Sequence, residues 1–350
     1  MKSQKKFGKT LFRSFMASLA VVFFVGTTSA QEEVSVAEKL AEALTYYDNA
    51  QFDQGIAIAQ SLFERDDLKP QDSIAIYEVL GILTYAKGDE YHKKAFSYLE
   101  QISKVGPCII HLPREMWPQE LRDQWFGVLK AHSSLACPEE AKSGIKTIAF
   151  MEFDNFSVGK YQEQLGPLGK GLADFFEHDF GKISSMKVIE RDKINFVLKE
   201  QELQKSGAVD RSTAVQVGKI LGAKYMVFGS ITQLDDRNTR MVVKVVSVET
   251  SEIIASVDKE GAPHYVKLEK ALVEELAQKL DVKLSDEVKS LIQEGGTESL
   301  DALALYNKAL EYQDRYDYNK AYEFFKKAYE LDNSFIEAKR KMEIYQPLAA

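Results

Sequence analysis

Three runs within Tyr225–Val257 decide the fold: Tyr225-Met226-Val227-Phe228-Gly229-Ser230-Ile231, Arg240-Met241-Val242-Val243-Lys244-Val245-Val246-Ser247-Val248 and Glu252-Ile253-Ile254-Ala255-Ser256-Val257. β-Branched and aromatic residues dominate them, which predicts three strands, the last two joined by a tight turn at Glu249-Thr250-Ser251. Upstream, Ile145–Phe153 alternates and predicts another strand. Leu165, Leu168, Leu172, Phe175, Phe176 and Phe180 recur at helical spacing across Gln164–Ile183. Met186–Ile189 reads as a short strand. Lys193–Gln204 and Thr213–Leu221 read as helices, closed by Ser206-Gly207 and Gly222. Downstream, Tyr265–Leu280 is an amphipathic helix. The order β-α-β-α-α-β-β-β-α over 145–284 predicts an α+β domain with a central mixed sheet and helices packed on it.

The flanks are helical. Across 31–138, Ala43 and Tyr46 followed by Gly55, Ala59 and Leu62 form a small-residue and aromatic ladder over two helices. The unit recurs as an amphipathic helix Ser73–Ala86, a turn at Gly88-Asp89, and Tyr91–Ser103 with Ala95, Leu99 and Ile102; a third unit surrounds Trp117–His132. A period near 34 residues with this content resembles tetratricopeptide repeats, although Gly55 stands where Ala is usual. Within 300–350 the pattern is clearer. Leu305, Ala309 and Tyr312 line one helix, Ala321, Phe325 and Ala328 the next, and Phe335–Tyr345 reads as a capping helix. One such pair cannot bury its own face and must dock on something, for which the central domain is the expectation. Residues 285–299, with Gly295-Gly296, read as a linker.

Composition narrows the class. Of 350 residues, 45% are hydrophobic and 28% charged, a globular balance. Residues 1–30 read as a secretory signal peptide: Lys2, Lys5, Lys6, Lys9 and Arg13, an apolar run Phe15–Val25, then small residues up to a cleavage point between Ala30 and Gln31. The apolar run falls short of the roughly 20 residues a helical span needs. No other stretch is long or apolar enough for one. Beyond the leader, 40 basic residues face 53 acidic ones, so the chain has no general attraction for nucleic acid. An exported chain meets an oxidising environment, and Cys108 and Cys137 read as a disulfide whose loop would contribute roughly 3–4 kcal/mol. Two separate thiols, or zinc with His111 and His132, are the alternatives.

A family resemblance rests on stretches in fixed order: Ile148-Ala149-Phe150 with Phe153-Asp154-Asn155; Leu168-Gly169-Lys170-Gly171-Leu172-Ala173-Asp174; Val188-Ile189-Glu190-Arg191; Val197-Leu198-Lys199-Glu200-Gln201; Gly218–Tyr225; Gly229-Ser230-Ile231; Val246–Thr250; and Glu252-Ile253-Ile254-Ala255. Together they resemble the CsgG-like domain of the curli production assembly/transport component, whose fold is similar to the N-terminal domain of periplasmic TolB. Ser251 departs from the pattern where Gly is usual. The resemblance implies outer-membrane lipoproteins that form rings and insert two β-hairpins per subunit. A membrane hairpin needs roughly 20 residues, whereas Thr232–Thr239 is short and carries Asp235, Asp236 and Arg237. The link from Lys259 to the closing helix is equally short, and no Cys follows the apolar run of the leader.

No residues assemble into a catalytic motif. Gly166-Pro167-Leu168-Gly169-Lys170-Gly171 lacks the Gly and hydroxyl positions of a phosphate loop, and its glycines fit close helix–sheet approach instead. His178-Asp179 has no nucleophile partner, so His178 reads as exposed or capped; Glu190-Arg191 reads as a surface or strand-edge ion pair. The expectation is an exported, periplasmic, non-enzymatic scaffold without cofactor or metal, assisting assembly or transport of a surface or outer-membrane component. Its partners would be cell-envelope proteins, an outer-membrane channel or further copies in a ring, with no nucleic acid and no span after cleavage. A periplasmic small-molecule-binding sensor or regulatory subunit is the alternative.

Overall fold

The computed structural model describes residues 34–106, 117–132, 146–200 and 210–349. Ala30, Gln31, Cys108 and Cys137 lie outside them. The chain divides into two compact units, one of Met1–Val128 with Gln346–Leu348, the other of Leu129–Tyr345.

The first unit holds α1 (Val36–Asp48), α2 (Phe52–Ser61), α3 (Pro70–Ala86), α4 (Asp89–Val105) and the start of α5 (Gln119–His132). α1 opens on a capping box: the Ser35 hydroxyl accepts from the Glu38 N–H and the Glu38 carboxylate accepts from the Ser35 N–H. Pro70 occupies the first turn of α3, where its missing N–H costs nothing. The expected amphipathic helix is buried on every side from Glu78 to Tyr85, because α2 and α4 pack on different faces of it. Gly55 replaces the usual Ala because a Cβ there would sit 2.7 Å from the Ala43 carbonyl oxygen and 3.0 Å from Leu83. Ala95, Leu99 and Ile102 are buried on one face of α4, and Trp117 stacks edge-on against Trp125.

The second unit is built on β1 (Lys146–Phe150), β2 (Asp154–Asn155), β3 (Met186–Ile189), β4 (Tyr225–Gln233), β5 (Thr239–Ser247) and β6 (Ile253–Gly261). The order is β3-β1-β4-β5-β6, with β2 also on β4. β3, β1 and β4 run parallel, and β4, β5 and β6 antiparallel. The result is a mixed-sheet α+β unit. Between the strands lie α6 (Lys160–Gln164), α7 (Leu168–Gly181), α8 (Arg191–Glu200) and α9 (Arg211–Leu221), and α10 (Tyr265–Lys279) follows the last of them. The predicted helix Gln164–Ile183 forms only from Leu168, as α7; α6 precedes it, and Leu165-Gly166-Pro167 separates the two. Phe176 and Phe180 of α7 lie against Phe150, which shares a register with Val227. Met226, one residue before Val227, points to the opposite face, where Gly218 of α9 meets it. Helices thus cover the sheet from both sides. Ser251 adopts φ +59°, which explains why glycine suits that turn.

The stretch expected as a linker, 285–299, holds α11 (Asp286–Gln293), capped by the Ser285 side chain on the Val288 N–H. Gly295 and Gly296 are wedged rather than loose: at φ +81° and +77°, a Cβ on them would come within 2.3 Å of Glu337 and 2.2 Å of Val266. Then come α12 (Leu300–Asp314), α13 (Tyr318–Leu331) and α14 (Ile336–Tyr345). Ala309, Ala321, Phe325 and Ala328 are buried in their seam, while Leu305 and Tyr312 are half-buried. Among the described residues no helix is long and apolar enough to cross a membrane.

Candidate functional site

The C-terminal helices sit on α7 through an aromatic cluster ringed by charge. Phe175 of α7 stacks on Tyr306 of α12 at 5.6 Å, and Phe335 closes over both. Around these rings, the Tyr306 hydroxyl donates to Asp174 at 2.6 Å, and Lys341 of α14 lies 3.3 Å from the same carboxylate. Arg191, at the start of α8, reaches Asp314 of α12 at 3.3 Å, and Lys170 of α7 donates to Asp314 at 2.5 Å. Burial pushes the Asp174 carboxyl up, but Lys341, Arg191 and the Tyr306 hydroxyl outweigh it and hold the group well below the carboxylate range. Burial likewise opposes the charge on Asp314, and Arg191 and Lys170 prevail. Arg191 is only 3% exposed, so the expected surface ion pair with Glu190 is instead a buried junction with Asp314 and Asp192. His178 is half-buried rather than exposed, and burial with Arg340 and Lys182 nearby lowers it to about 3. Burial and the carboxylates Asp174 and Asp192 raise Glu177 to about 8.

The glycines of α7 make this contact possible. A Cβ at Gly169 would lie 1.9 Å from the Phe153 carbonyl oxygen, and one at Gly171 would lie 2.1 Å from Asn307 Oδ1. The candidate phosphate-loop sequence is therefore a packing surface, with Lys170 committed to Asp314.

The far end of the sheet is open. β4 and β5 are joined by Leu234–Asn238, and the Asp235 carboxylate closes this turn on the N–H groups of Arg237 and Asn238 at 2.8 and 2.9 Å. Asp236 accepts from the Tyr161 hydroxyl at 2.5 Å and from Lys160 at 3.0 Å, tying α6 to the turn. Those hydrogen bonds lower Asp236 and raise Tyr161. Past β2, Phe156 and Val158 donate backbone N–H groups to Ile231 and Gln233, so the chain continues alongside β4. This register puts Val158 beside Leu234, with Phe156 two residues back on the same face. Phe156, Val158 and Leu234 are 54%, 52% and 62% exposed. Three apolar side chains on a pinned backbone, rimmed by charge, are the kind of surface that marks an interaction site. The connection from β6 to α10 is Ala262–His264. Among the described residues, no group of three His, Cys, Asp or Glu is placed to hold a metal ion.

Sequence reading found the short charged turn but missed the exposed trio and the buried charges. Alternation at Phe156 and Val158 flanking Ser157 was the available signal for the trio. For Asp174, Arg191 and Asp314 there was none, since they are brought together across 140 residues of chain.

A mixed parallel and antiparallel sheet between helices, with further helices docked on α7, defines an α+β domain carrying its own helical extension. Residues 133–243 match the family model for curli production assembly/transport component CsgG, so the chain carries a CsgG-family domain. The match ends within β5. No curated protein matches the chain. Solved structures similar to parts of it include the LpoB C-terminal domain from Salmonella enterica (17% identity, TM-score 0.26, 34% of this chain and 87% of that one). TolB from Acinetobacter baumannii (14% identity, TM-score 0.27, 39% and 29%) and lipoprotein GNA1162 from Neisseria meningitidis (13% identity, TM-score 0.26, 39% and 98%) are others.

Proposed function

We propose that this chain is an exported, non-enzymatic scaffold of the cell envelope that assists assembly or transport of a surface or outer-membrane component beside a separate channel. The observation that carries the reading is the closure of the CsgG-type sheet. Its two candidate hairpin positions are the five-residue turn Leu234–Asn238 and the three-residue link Ala262–His264, whereas a bilayer-crossing strand alone takes about 9–11 residues. What such a sheet offers instead is a surface, and the exposed trio Phe156, Val158 and Leu234 is its apolar part. The helical hairpins within 31–138 and 300–350 are read as tetratricopeptide-like, and the former as a second partner surface.

A photo-crosslinking side chain at Leu234 in intact cells tests this. Capture of one envelope protein at Leu234, and not at solvent-facing Glu323 of α13, is the expected outcome. Conductance across planar bilayers by the purified protein alone would overturn it.

A further inference from the structure

One buried acid has no place in the ion network that seats the C-terminal helices. Glu269 of α10 is fully buried, and among the described residues neither of its carboxyl oxygens has a hydrogen-bond partner. It sits at a knot where four helices meet. Asp179 of α7 accepts from Lys182 at 2.7 Å and from Lys270 of α10 at 3.0 Å. Lys270 also donates to the backbone carbonyls of Ile292, the penultimate residue of α11, and Glu294 just beyond it, at 2.5 and 3.0 Å. Lys182 donates to the Leu291 carbonyl at 2.9 Å. Glu337 of α14 accepts from the Gly296 N–H at 2.8 Å. Each lysine is already committed to Asp179 and to α11, so neither is left to pair with Glu269. The charged groups facing it are Asp179 and Lys182 from the α7 side, Lys270 from its own helix and Glu337 from α14.

We propose that Glu269 is a proton-operated latch: as a neutral acid it lets α11 and α14 stay seated on α7 and α10, and its ionisation loosens them. An ionised carboxylate there would be buried without a hydrogen bond beside the carboxylates of Asp179 and Glu337, the costliest arrangement available to it. Burial first, and then Asp179, raise this carboxyl far above its ordinary value, with Lys270 and Lys182 only partly opposing them. A carboxyl raised in the fold contributes stability that is fully present below its ordinary value of about 4.5 and is lost as the pH climbs toward the raised value. Opening the knot to water releases one proton, so in that window each pH unit favours opening by up to about tenfold.

Hydrogen exchange of the full chain between about pH 6 and 9, corrected for the intrinsic pH dependence of exchange, reads this from peptides of α11 and α14. The expected result is that opening steepens with pH in the natural sequence. Glu269→Gln, which keeps the shape and removes the charge, should reduce that dependence by about one power of ten per unit. Should that variant fold poorly, Glu337→Gln keeps an acceptor for Gly296 and removes one facing charge, and the pH at which opening levels off should fall. Equal pH slopes in the natural chain and Glu269→Gln, or an unmoved levelling-off point in Glu337→Gln, would overturn the latch.

Discussion

Two helical hairpins in this chain share a hydrocarbon seam but differ in what their outer faces meet. In α3 and α4 the seam between the helices is mostly hydrocarbon: Ile74, Val79, Leu83, Ala95, Leu99 and Ile102 are each 1% exposed or less, with Glu78 and Thr84 as the buried polar exceptions. The pair α12 and α13 has a comparable seam in Ala309, Ala321, Phe325 and Ala328, yet α12 turns Tyr306, Asn307 and Asp314 toward a charged layer on α7 and α8. Hydrocarbon seams are forgiving, since any residue of similar volume restores most of the contact. Buried ion pairs behave differently. They add little net stability over an apolar substitute, but removing one partner strands the other. The first hairpin therefore holds by bulk, and the second by matching.

Arg191→Leu tests that contrast with the largest expected effect. It leaves Asp314 and Asp192 buried with less compensation and should cost about 3–5 kcal/mol in denaturant unfolding of the sheet-bearing unit. Replacing Arg191, Asp314 and Lys170 together by leucine or methionine should recover most of the loss. If the triple change costs as much as the single one, matching is not what the charges provide. In the hydrocarbon hairpin, Leu83→Ala should cost about 2–5 kcal/mol and Leu83→Met less than about 1.5 kcal/mol, read from the unfolding of the helical unit.

The charged layer should also respond to pH where the hydrocarbon seam does not. Glu177, raised to about 8, contributes stability that is complete below about 4.5 and declines as the pH rises toward 8, so Glu177→Gln should flatten the alkaline side of the stability profile. His178 works in reverse. Lowered to about 3, it stays neutral in the fold, and stability declines as the pH falls from about 6.5 toward 3. His178→Gln should remove that acid slope. A stability profile unchanged by either substitution would erase the contrast. The smallest effect belongs to the turn after β5: Ser251→Gly should raise the melting temperature modestly, by up to about 1 kcal/mol of stability, by relieving the left-handed backbone.

Much of the sheet was legible because strands and helices announce themselves by period. Met186–Ile189 forms over the predicted residues, and β4 to β6 and α10 differ from expectation only at their ends. β2 was not legible: Asp154 and Asn155 form a strand only because β4 offers backbone partners. The glycine pair at 295–296 misled for a related reason. Composition reads two adjacent glycines as slack, whereas here Val266 and Glu337 fill the space that side chains would have taken. The charged layer was opaque because each member reads locally as a solvated residue. Only the fold brings Lys170 and Arg191 to Asp314.

Gly171 carries a consequence for how this molecule was put together. The position lies on the sheet domain, yet what forbids a side chain there is Asn307, from a helix that arrives 136 residues later. The glycine is thus an imprint of the C-terminal extension on its host. A related sheet domain bearing alanine or anything larger at this place would receive α12 only if the buried Asn307 side chain turned aside, so grafting residues 300–345 should go best onto a domain with glycine there. Read across a set of relatives, the residue at 171 should divide chains that inherited the extension from chains that never had it.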